Sequence, residues 1–271
     1  MDGAIILDKD AKKILHSNVL LTPDSKIKTL ETGTRHKAAE RTAKQTGGLV
    51  IAISERKHEI SVFYKNVRYH LKSTDELRRK TNENIQLLEK QRELFDESVS
   101  RLNSAELRNY PNLQHALSVI QKGRLIQKMI GDIKKNILEL GTESTLLKTR
   151  VRELAAGVER ETNLVITDYT KLDIKKSKTL LESLSYDELF DTDNILKALA
   201  YESITQAEIN GWRILDKTNI AEEDVAKLVK EMGSLGKVLH SGRKDYEKLL
   251  GEEKGSKAKE EIDKLKLHYE Q

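Results

Sequence analysis

The hydrophobic pattern of this 271-residue chain changes period at Ser73. Before Ser73, short apolar runs are spaced as in strands; after it, apolar residues recur at helical spacing from Leu77 onward. Pro23 and Pro111 are the only prolines, so long uninterrupted helices are permitted after the change. The pattern therefore predicts an α/β unit followed by an all-α region.

Five strands are predicted in the first 72 residues, and they cover residues 3–8, 14–21, 48–54, 60–64 and 67–71. The last two strands flank Lys65-Asn66, which is typical of a hairpin turn. The run at 48–54 is almost entirely apolar, as in a buried strand. We expect a mixed sheet.

The stretch from Glu31 to Glu40 combines a glycine with the start of a helix. Gly33 can adopt backbone angles that a side chain forbids, and the Thr34 hydroxyl can cap the helix that follows. A helix N-terminus attracts anions, and three potential donors follow in Arg35-His36-Lys37. The pattern indicates a phosphate site, although a capped surface helix with a chance cluster of bases has the same residues.

Small residues lie on one face of this predicted helix, which would let it pack closely on a sheet; they are Ala38, Ala39, Thr42 and Ala43. Gly47 is expected to end the helix.

Three long amphipathic helices are predicted next. The first starts at a capping box, Ser73 to Glu76, the second is opened by Pro111 and ends at Gly141, and the third runs from about Thr142 to Tyr169. Shorter helices are predicted at residues 193–201, 204–215, 221–232 and 257–269. We attribute the apolar stripes to the core of an intramolecular bundle, with a coiled-coil surface for a partner as the alternative. The predicted domains are residues 1–72, 73–185 and 186–271.

The amino-acid composition excludes several kinds of site and of protein. The chain has no cysteine, which excludes disulfides and thiolate metal sites. No apolar run approaches the ~20 residues of a membrane span, and no signal-peptide pattern is present, so we predict a cytoplasmic protein without a membrane partner. The 48 basic and 44 acidic residues nearly balance, which disfavours a uniformly basic nucleic-acid coat.

Four ordered segments of the first 72 residues carry a resemblance to a known family. They are Asp2-Gly3-Ala4, residues 17–23, Arg35-His36-Lys37 and residues 50–56. Together they resemble the diadenylate cyclase (DAC) domain of the DisA family of DNA integrity scanning proteins, whose motifs are Asp-Gly-Ala and Arg-His-Arg. The likeness continues more weakly through a helical spine to an end like the family's helix-hairpin-helix.

Two departures from the family accompany this resemblance. Lys37 replaces the last arginine of the second motif, and the chain opens at the methionine just before Asp-Gly-Ala, where the family has several tens of further residues. We therefore expect an N-terminally incomplete DAC domain with impaired activity, an open sheet edge and an uncovered apolar face.

The resemblance implies an enzyme that condenses two ATP molecules into cyclic di-AMP plus two pyrophosphates, coupled to sensing branched or damaged DNA during repair. Asp2 is the implied catalytic carboxylate and ligand of Mg²⁺ or Mn²⁺. The implied ATP-binding residues are Gly3, Leu21, Thr34, Arg35, His36, Lys37, Ala38, Ser54 and Glu55. Face-to-face DAC domains imply a homo-oligomer, an octamer in the family.

The implied DNA-binding hairpin centres on Gly255, with Lys254, Lys257 and Lys259 around it. The carboxylates of Glu252 and Glu253 lie where a phosphate must approach, and residues 230–271 contain ten basic and nine acidic residues, so weak binding to branched DNA is expected. A helical cap that does not bind DNA is the alternative. For the whole chain, the alternative to a cyclase is a non-catalytic helical adaptor with a nucleotide-binding remnant.

Overall fold

The computed structural model describes residues 3–55, 59–204 and 207–270. The chain divides into two compact units, residues 1–80 and residues 81–271. The three-part division predicted above, at residues 72 and 185, stays a prediction.

The first unit contains two antiparallel sheets and one helix. Strands β1 (Ala4–Leu7) and β2 (Ile14–Val19) form one hairpin, and α1 spans Thr34–Thr46. Strands β3 (Leu49–Ser54), β4 (Glu59–Tyr64) and β5 (Val67–Leu71) form the second sheet in that order. The α/β class is confirmed, and each predicted strand is present with its ends shifted by two residues or fewer. Within the described residues every strand pair is antiparallel, so the expected mixed strand directions are absent there.

Helix α1 packs on one face of the three-stranded sheet. Ala39 and Ala43 are buried against Phe63, with Val50 and Ala52 alongside. The small side chains allow this close approach, as the sequence predicted. Gly47 ends the helix in the left-handed conformation, at φ 69°, which glycine adopts without steric cost.

The opposite face of this sheet is apolar and exposed. Strand pairing places Ile51 opposite Val62, and Val62 opposite Tyr69, on the same side of the sheet. Ile51 is 58% exposed and Ile53 is 73% exposed. The prediction that residues 48–54 form a buried strand is therefore wrong: Val50 and Ala52 are half-buried beneath α1, and the other face of the strand is exposed.

Long helices begin at the capping residue Ser73, whose hydroxyl oxygen accepts a hydrogen bond from the Glu76 amide at 3.2 Å. The bounds are α2 (Thr74–Leu107), α3 (Leu113–Leu140), a 3₁₀ turn (Gly141–Ser144), α4 (Thr145–Ala155), α5 (Val158–Tyr169), α6 (Ile174–Ser183), α7 (Tyr186–Phe190), α8 (Thr192–Ala198), α9 (Trp212–Leu215), α10 (Glu222–Met232), α11 (Leu235–His240), α12 (Arg243–Leu250) and α13 (Glu252–Glu270). Apolar residues of α2, α3 and α5 and of the later helices share one core, which supports the bundle interpretation.

Several helix predictions are wrong in detail. The single helix predicted from Thr142 to Tyr169 is broken by Gly157, which adopts φ 76° between α4 and α5. The helix predicted at residues 204–215 is present only at its end, as α9, and Thr205 and Gln206 lie outside the described residues. The last helix begins at Glu252, five residues earlier than expected.

A buried polar network ties α9 to α2 and α5. The Arg213 side chain is fully buried and donates to Glu106, to Asn103 Oδ1 at 2.6 Å and to Glu161 Oε1 at 2.6 Å. Tyr169 Oη donates to Glu106 Oε1 at 2.9 Å. Removing one partner of such a network leaves a buried charge unpaired, which is strongly destabilising.

Asp168, which lies on α5, caps the start of helix α9 although it is distant from that helix in sequence. Its carboxylate accepts backbone hydrogen bonds from Gly211 at 3.2 Å, Trp212 at 3.0 Å and Arg213 at 2.9 Å. These are N–H groups that a helix start leaves without intrahelical acceptors.

Among the described helices, none is both long enough and apolar enough to span a bilayer.

Candidate nucleotide site

The N-terminus of α1 presents the predicted phosphate donors. Thr34, Arg35, His36 and Lys37 occupy the first helical turn, which contains no acidic side chain. Thr34 and Arg35 are exposed, whereas His36, Lys37 and Ala38 are half-buried. The first N–H groups of a helix lack intrahelical acceptors and carry partial positive charge, so this turn suits an anion.

Two local expectations at this turn are wrong. Gly33 is the residue before the helix and adopts φ −81° and ψ 140°, an extended conformation that any residue adopts. Thr34 is already the first helical residue, and the helix has no side-chain cap. Neither the backbone angles of Gly33 nor the space around it requires a glycine, since the nearest atom to an added Cβ would be His36 Nδ1 at 4.0 Å.

Glu40 holds the loop that leads into this turn. Its carboxylate accepts hydrogen bonds from the Thr29 hydroxyl, from the Leu30 amide at 3.2 Å and from Lys44 Nζ at 2.7 Å. Burial raises the pKa of Glu40, but the hydrogen bonds from Lys44 and Thr29 outweigh this and lower it overall. Glu40 is not among the site residues predicted from the sequence, and its only local signal is its spacing of four residues from Lys44 on α1.

Glu31 places the loop beside strand β5. His70 Nε2 lies 3.5 Å from Glu31 Oε1, and His70 Nδ1 is 2.7 Å from the Ser61 hydroxyl. His70 pairs with Ser61, and Ser61 pairs with Ala52 on β3. Ala52 is two residues, about 7 Å, from Ser54 at the strand's carboxyl end. Glu31 Oε1 also lies 3.3 Å from Arg68 Nη1, and Arg68 pairs with Phe63 on β4, so Glu31 holds the loop before α1 beside the middle of β5.

Ser54 is half-buried at the last position of β3, and Glu55 is exposed in the turn that follows. Leu21 is half-buried in the loop after β2. Gly3 precedes β1, and its N–H donates to Asn18 Oδ1 at 3.0 Å. The β1–β2 hairpin shares no strand hydrogen bonds with the three-stranded sheet in the described part of the chain, so Gly3 and Leu21 belong to a separate element from Ser54.

Asp2, the predicted catalytic carboxylate and metal ligand, lies outside the described residues. Within those residues, no cluster of three His, Asp or Glu side chains could hold a metal ion. Mg²⁺ is commonly held by one or two carboxylates together with substrate phosphates. A single carboxylate next to a bound triphosphate therefore fits that chemistry.

The predicted DNA-binding residues do not form the expected hairpin turn. Gly255 is buried inside α13, where a Cβ atom would lie 2.5 Å from backbone atoms of Tyr246 on α12. Its role as a turn glycine is wrong: the turn between α12 and α13 is made by Gly251, at φ 87°. Gly255 instead lets the two helices pack in close contact.

Carboxylates pair with all three lysines of this predicted site. Lys254 Nζ lies 3.1 Å from Asp224, Lys257 Nζ lies 2.7 Å from Glu253, and Lys259 Nζ lies 2.8 Å from Asp263. A DNA phosphate would have to compete with these partners.

Comparison with known proteins covers both units. A family model described as "DisA bacterial checkpoint controller nucleotide-binding" matches residues 1–68, and one described as "DisA bacterial checkpoint controller linker region" matches residues 71–208. The chain is 37% identical over 281 residues to a DNA integrity scanning protein DisA of Bacillus subtilis, covering 99% of this chain and 78% of the relative. It is 34% identical over 275 residues to the protein of that name from Clostridium acetobutylicum, covering 98% of this chain and 77% of the relative.

Proposed function

The chain belongs to the DisA family of DNA integrity scanning proteins, and on that premise we propose that it is a diadenylate cyclase. The proposed reaction joins two ATP molecules. Each 3′-hydroxyl attacks the α-phosphorus of the other ATP, a P–O bond forms, and pyrophosphate leaves, so the products are one cyclic di-AMP and two pyrophosphates.

The observation that carries this proposal is the first turn of α1, with its donors Thr34 to Lys37 and without an acidic side chain. The loop before this turn is held beside β5, which belongs to the same sheet as β3 and Ser54. Glu31 and Glu40 hold the preceding loop against β5 and α1, so the donors are positioned before a nucleotide arrives. Preorganised donors of this kind stabilise the charge that develops on a transferring phosphoryl group.

We assign the roles as follows. Arg35, His36 and Lys37 hold phosphates together with the N–H group of Thr34 at the start of α1, and Ala38 is assigned a further contact with the ATP. Gly3 and Leu21 lie against the nucleoside, and Ser54 and Glu55 contact the ligand from the end of β3. Asp2 is the proposed catalytic carboxylate. Mg²⁺ or Mn²⁺, held by Asp2 and the triphosphate, would neutralise charge on the phosphates.

The proposal includes partners. Each cyclisation needs two ATP-bearing domains face to face, so the active form is a homo-oligomer, an octamer on the family resemblance. We place the protein in the cytoplasm and assign weak binding of branched DNA to the end that contains α12 and α13, which couples synthesis to DNA damage and repair.

The test is incubation of the full chain with ATP and Mn²⁺ or Mg²⁺, followed by chromatography for cyclic di-AMP. Asp2→Asn removes the charge but little shape, so it should abolish product formation and leave ATP binding largely intact. Lys65→Gln is the matched control, since Lys65 lies in the β4–β5 turn at the far end of the sheet from Ser54. If Asp2→Asn forms cyclic di-AMP at the wild-type rate, Asp2 is not the catalytic carboxylate. ATP binding without product in the wild-type chain would favour the adaptor alternative.

A further inference from the structure

A buried arginine with an unsatisfied donor lies in the helical unit, on α3. The Arg124 side chain is only 3% exposed. Its Nη1 donates to Gln127 Oε1 at 2.7 Å and to Glu182 Oε1 at 3.3 Å, and its Nη2 donates to Asn163 Oδ1 at 3.5 Å. Arg124 Nε is buried and has no acceptor among the residues that the structure describes. An unsatisfied buried donor on a charged group is costly.

Arg124 lines a cavity of about 190 Å³ between α3 and α6, together with Gln127, Lys128, Leu181 and Glu182. Gln127 Nε2 is a second buried donor without an acceptor in the described part of the chain. Its orientation is determined, because the Gln127 oxygen must be the atom that accepts from Arg124. The cavity is smaller than the ~300 Å³ at which sites for drug-sized ligands begin, so it suits a small ion.

The charges at this cavity are not balanced by firm contacts. Burial lowers the pKa of Arg124, and the carboxylates of Glu182 and Glu159 only partly oppose that effect. Glu182 is 63% exposed and accepts a single hydrogen bond from Arg124, so an anion that takes over this hydrogen bond can displace Glu182 toward solvent. Lys128, half-buried on the cavity wall, adds a second positive charge.

We propose that this cavity binds a phosphate-type oxyanion, with Arg124, Gln127 and Lys128 as donors and Glu182 as a carboxylate that the ligand displaces. The residues that line the cavity carry N–H donors and two positive charges, which the oxygen atoms of an oxyanion can satisfy and a cation cannot. Guanidinium groups match phosphate geometry, and charge-assisted hydrogen bonds of this type are strong. The ligand is either free phosphate or the phosphate group of a nucleotide.

The test uses hydrogen–deuterium exchange of the full chain in inorganic phosphate, compared with chloride at equal ionic strength. Phosphate at millimolar concentrations should slow exchange in α6, residues 174–183, which carries Leu181 and Glu182. Lys128→Gln should weaken this effect at least threefold, and Glu182→Gln should strengthen it at least threefold by removing the competing charge. Lys135→Gln is the control, because Lys135 lies on the same helix with its side chain 78% exposed and paired with Asp132.

These variants change exposed or half-buried positions, so the folded chain remains available if substitution of Arg124 itself prevents folding. A parallel titration with ATP distinguishes the two ligand sources: protection of α6 at lower ATP than phosphate, lost in Lys128→Gln, would identify a nucleotide phosphate. Equal protection by phosphate in wild type, Lys128→Gln and Glu182→Gln would overturn the proposal. So would the absence of α6 protection by both ligands, or protection by chloride equal to that by phosphate.

Discussion

The backbone of Gly3 lies directly against the backbone of Asn18. The Gly3 N–H donates to Asn18 Oδ1 at 3.0 Å, and a Cβ atom on Gly3 would lie 2.4 Å from the Asn18 carbonyl carbon. Asn18 itself adopts φ 57°, a left-handed conformation that asparagine tolerates better than most residues. The Asp-Gly-Ala motif therefore depends on glycine for strand packing as well as for any contact with a nucleotide.

Gly3→Ala is expected to destabilise the β1–β2 hairpin by roughly 1–3 kcal/mol, because the added methyl group would overlap backbone atoms. Faster exchange of the backbone amide hydrogens in residues 4–19 would show this destabilisation. Gly33→Ala is the matched control: the nearest atom to its Cβ is His36 Nδ1 at 4.0 Å, and its φ of −81° suits alanine. Normal exchange in Gly3→Ala would contradict the packing role.

Lys37→Arg should lower the KM for ATP with little change in kcat. Arginine restores the planar fork that grips a phosphate with two hydrogen bonds, and lysine lacks it. Binding that improves equally in the ground and transition states changes KM and not kcat. Steady-state kinetics of cyclic di-AMP synthesis would measure this, and an unchanged or higher KM would show that position 37 does not contact the triphosphate.

The stability of the folded protein should depend on pH because Asp168 is buried. Burial raises its pKa from 3.8 to about 7, despite backbone hydrogen bonds from Arg213 and Trp212 that act in the opposite direction. Because the folded-state pKa lies above the unfolded value, the stabilising contribution is complete below pH 3.8 and is lost as the pH rises through about 7.

Asp168→Asn should therefore show a smaller fall in Tm between pH 4 and pH 7 than wild type, in thermal unfolding followed by circular dichroism. Its Tm should also be lower throughout, since the amide nitrogen cannot accept the third backbone hydrogen bond. If Tm falls by the same amount between pH 4 and pH 7 in the two proteins, Asp168 is not the titrating group.

DNA binding should be weak, with a salt slope of magnitude near 3, because each phosphate contact contributes roughly 0.9 and only three or four lysines cluster near α13. Titration of residues 186–271 and of the full chain, side by side, with branched DNA at several salt concentrations measures the slope, and the value near 3 is expected for residues 186–271. Glu253→Gln should strengthen binding by releasing Lys257, with Glu97→Gln as a control at a second exposed ion pair. A slope magnitude above about 6 for residues 186–271 alone would contradict weakening by these carboxylates, whereas an oligomer can exceed that slope by presenting several tails to one DNA molecule.

Local sequence was sufficient for much of the first unit. Strands β3 to β5 follow from alternation around the Lys65-Asn66 turn, and α1 follows from its small-residue face and Gly47. These features depend on residues close together in the chain, where steric and hydrogen-bonding preferences act directly. The candidate phosphate turn at Thr34–Lys37 was found for the same reason.

Tertiary structure alone decided which groups are buried and what they contact. Arg213 meets Glu106 across 107 residues of sequence, and Arg124 meets Glu182 across 58. In sequence both arginines look like ordinary solvated charges. Gly255, which resembled a turn residue, is a helix contact because α12 packs against α13 at that position. Burial depends on contacts between residues that are distant in the chain. The local sequence pattern therefore determined the helices and strands. Packing determined the charged cavity, the buried network and the exposed sheet face.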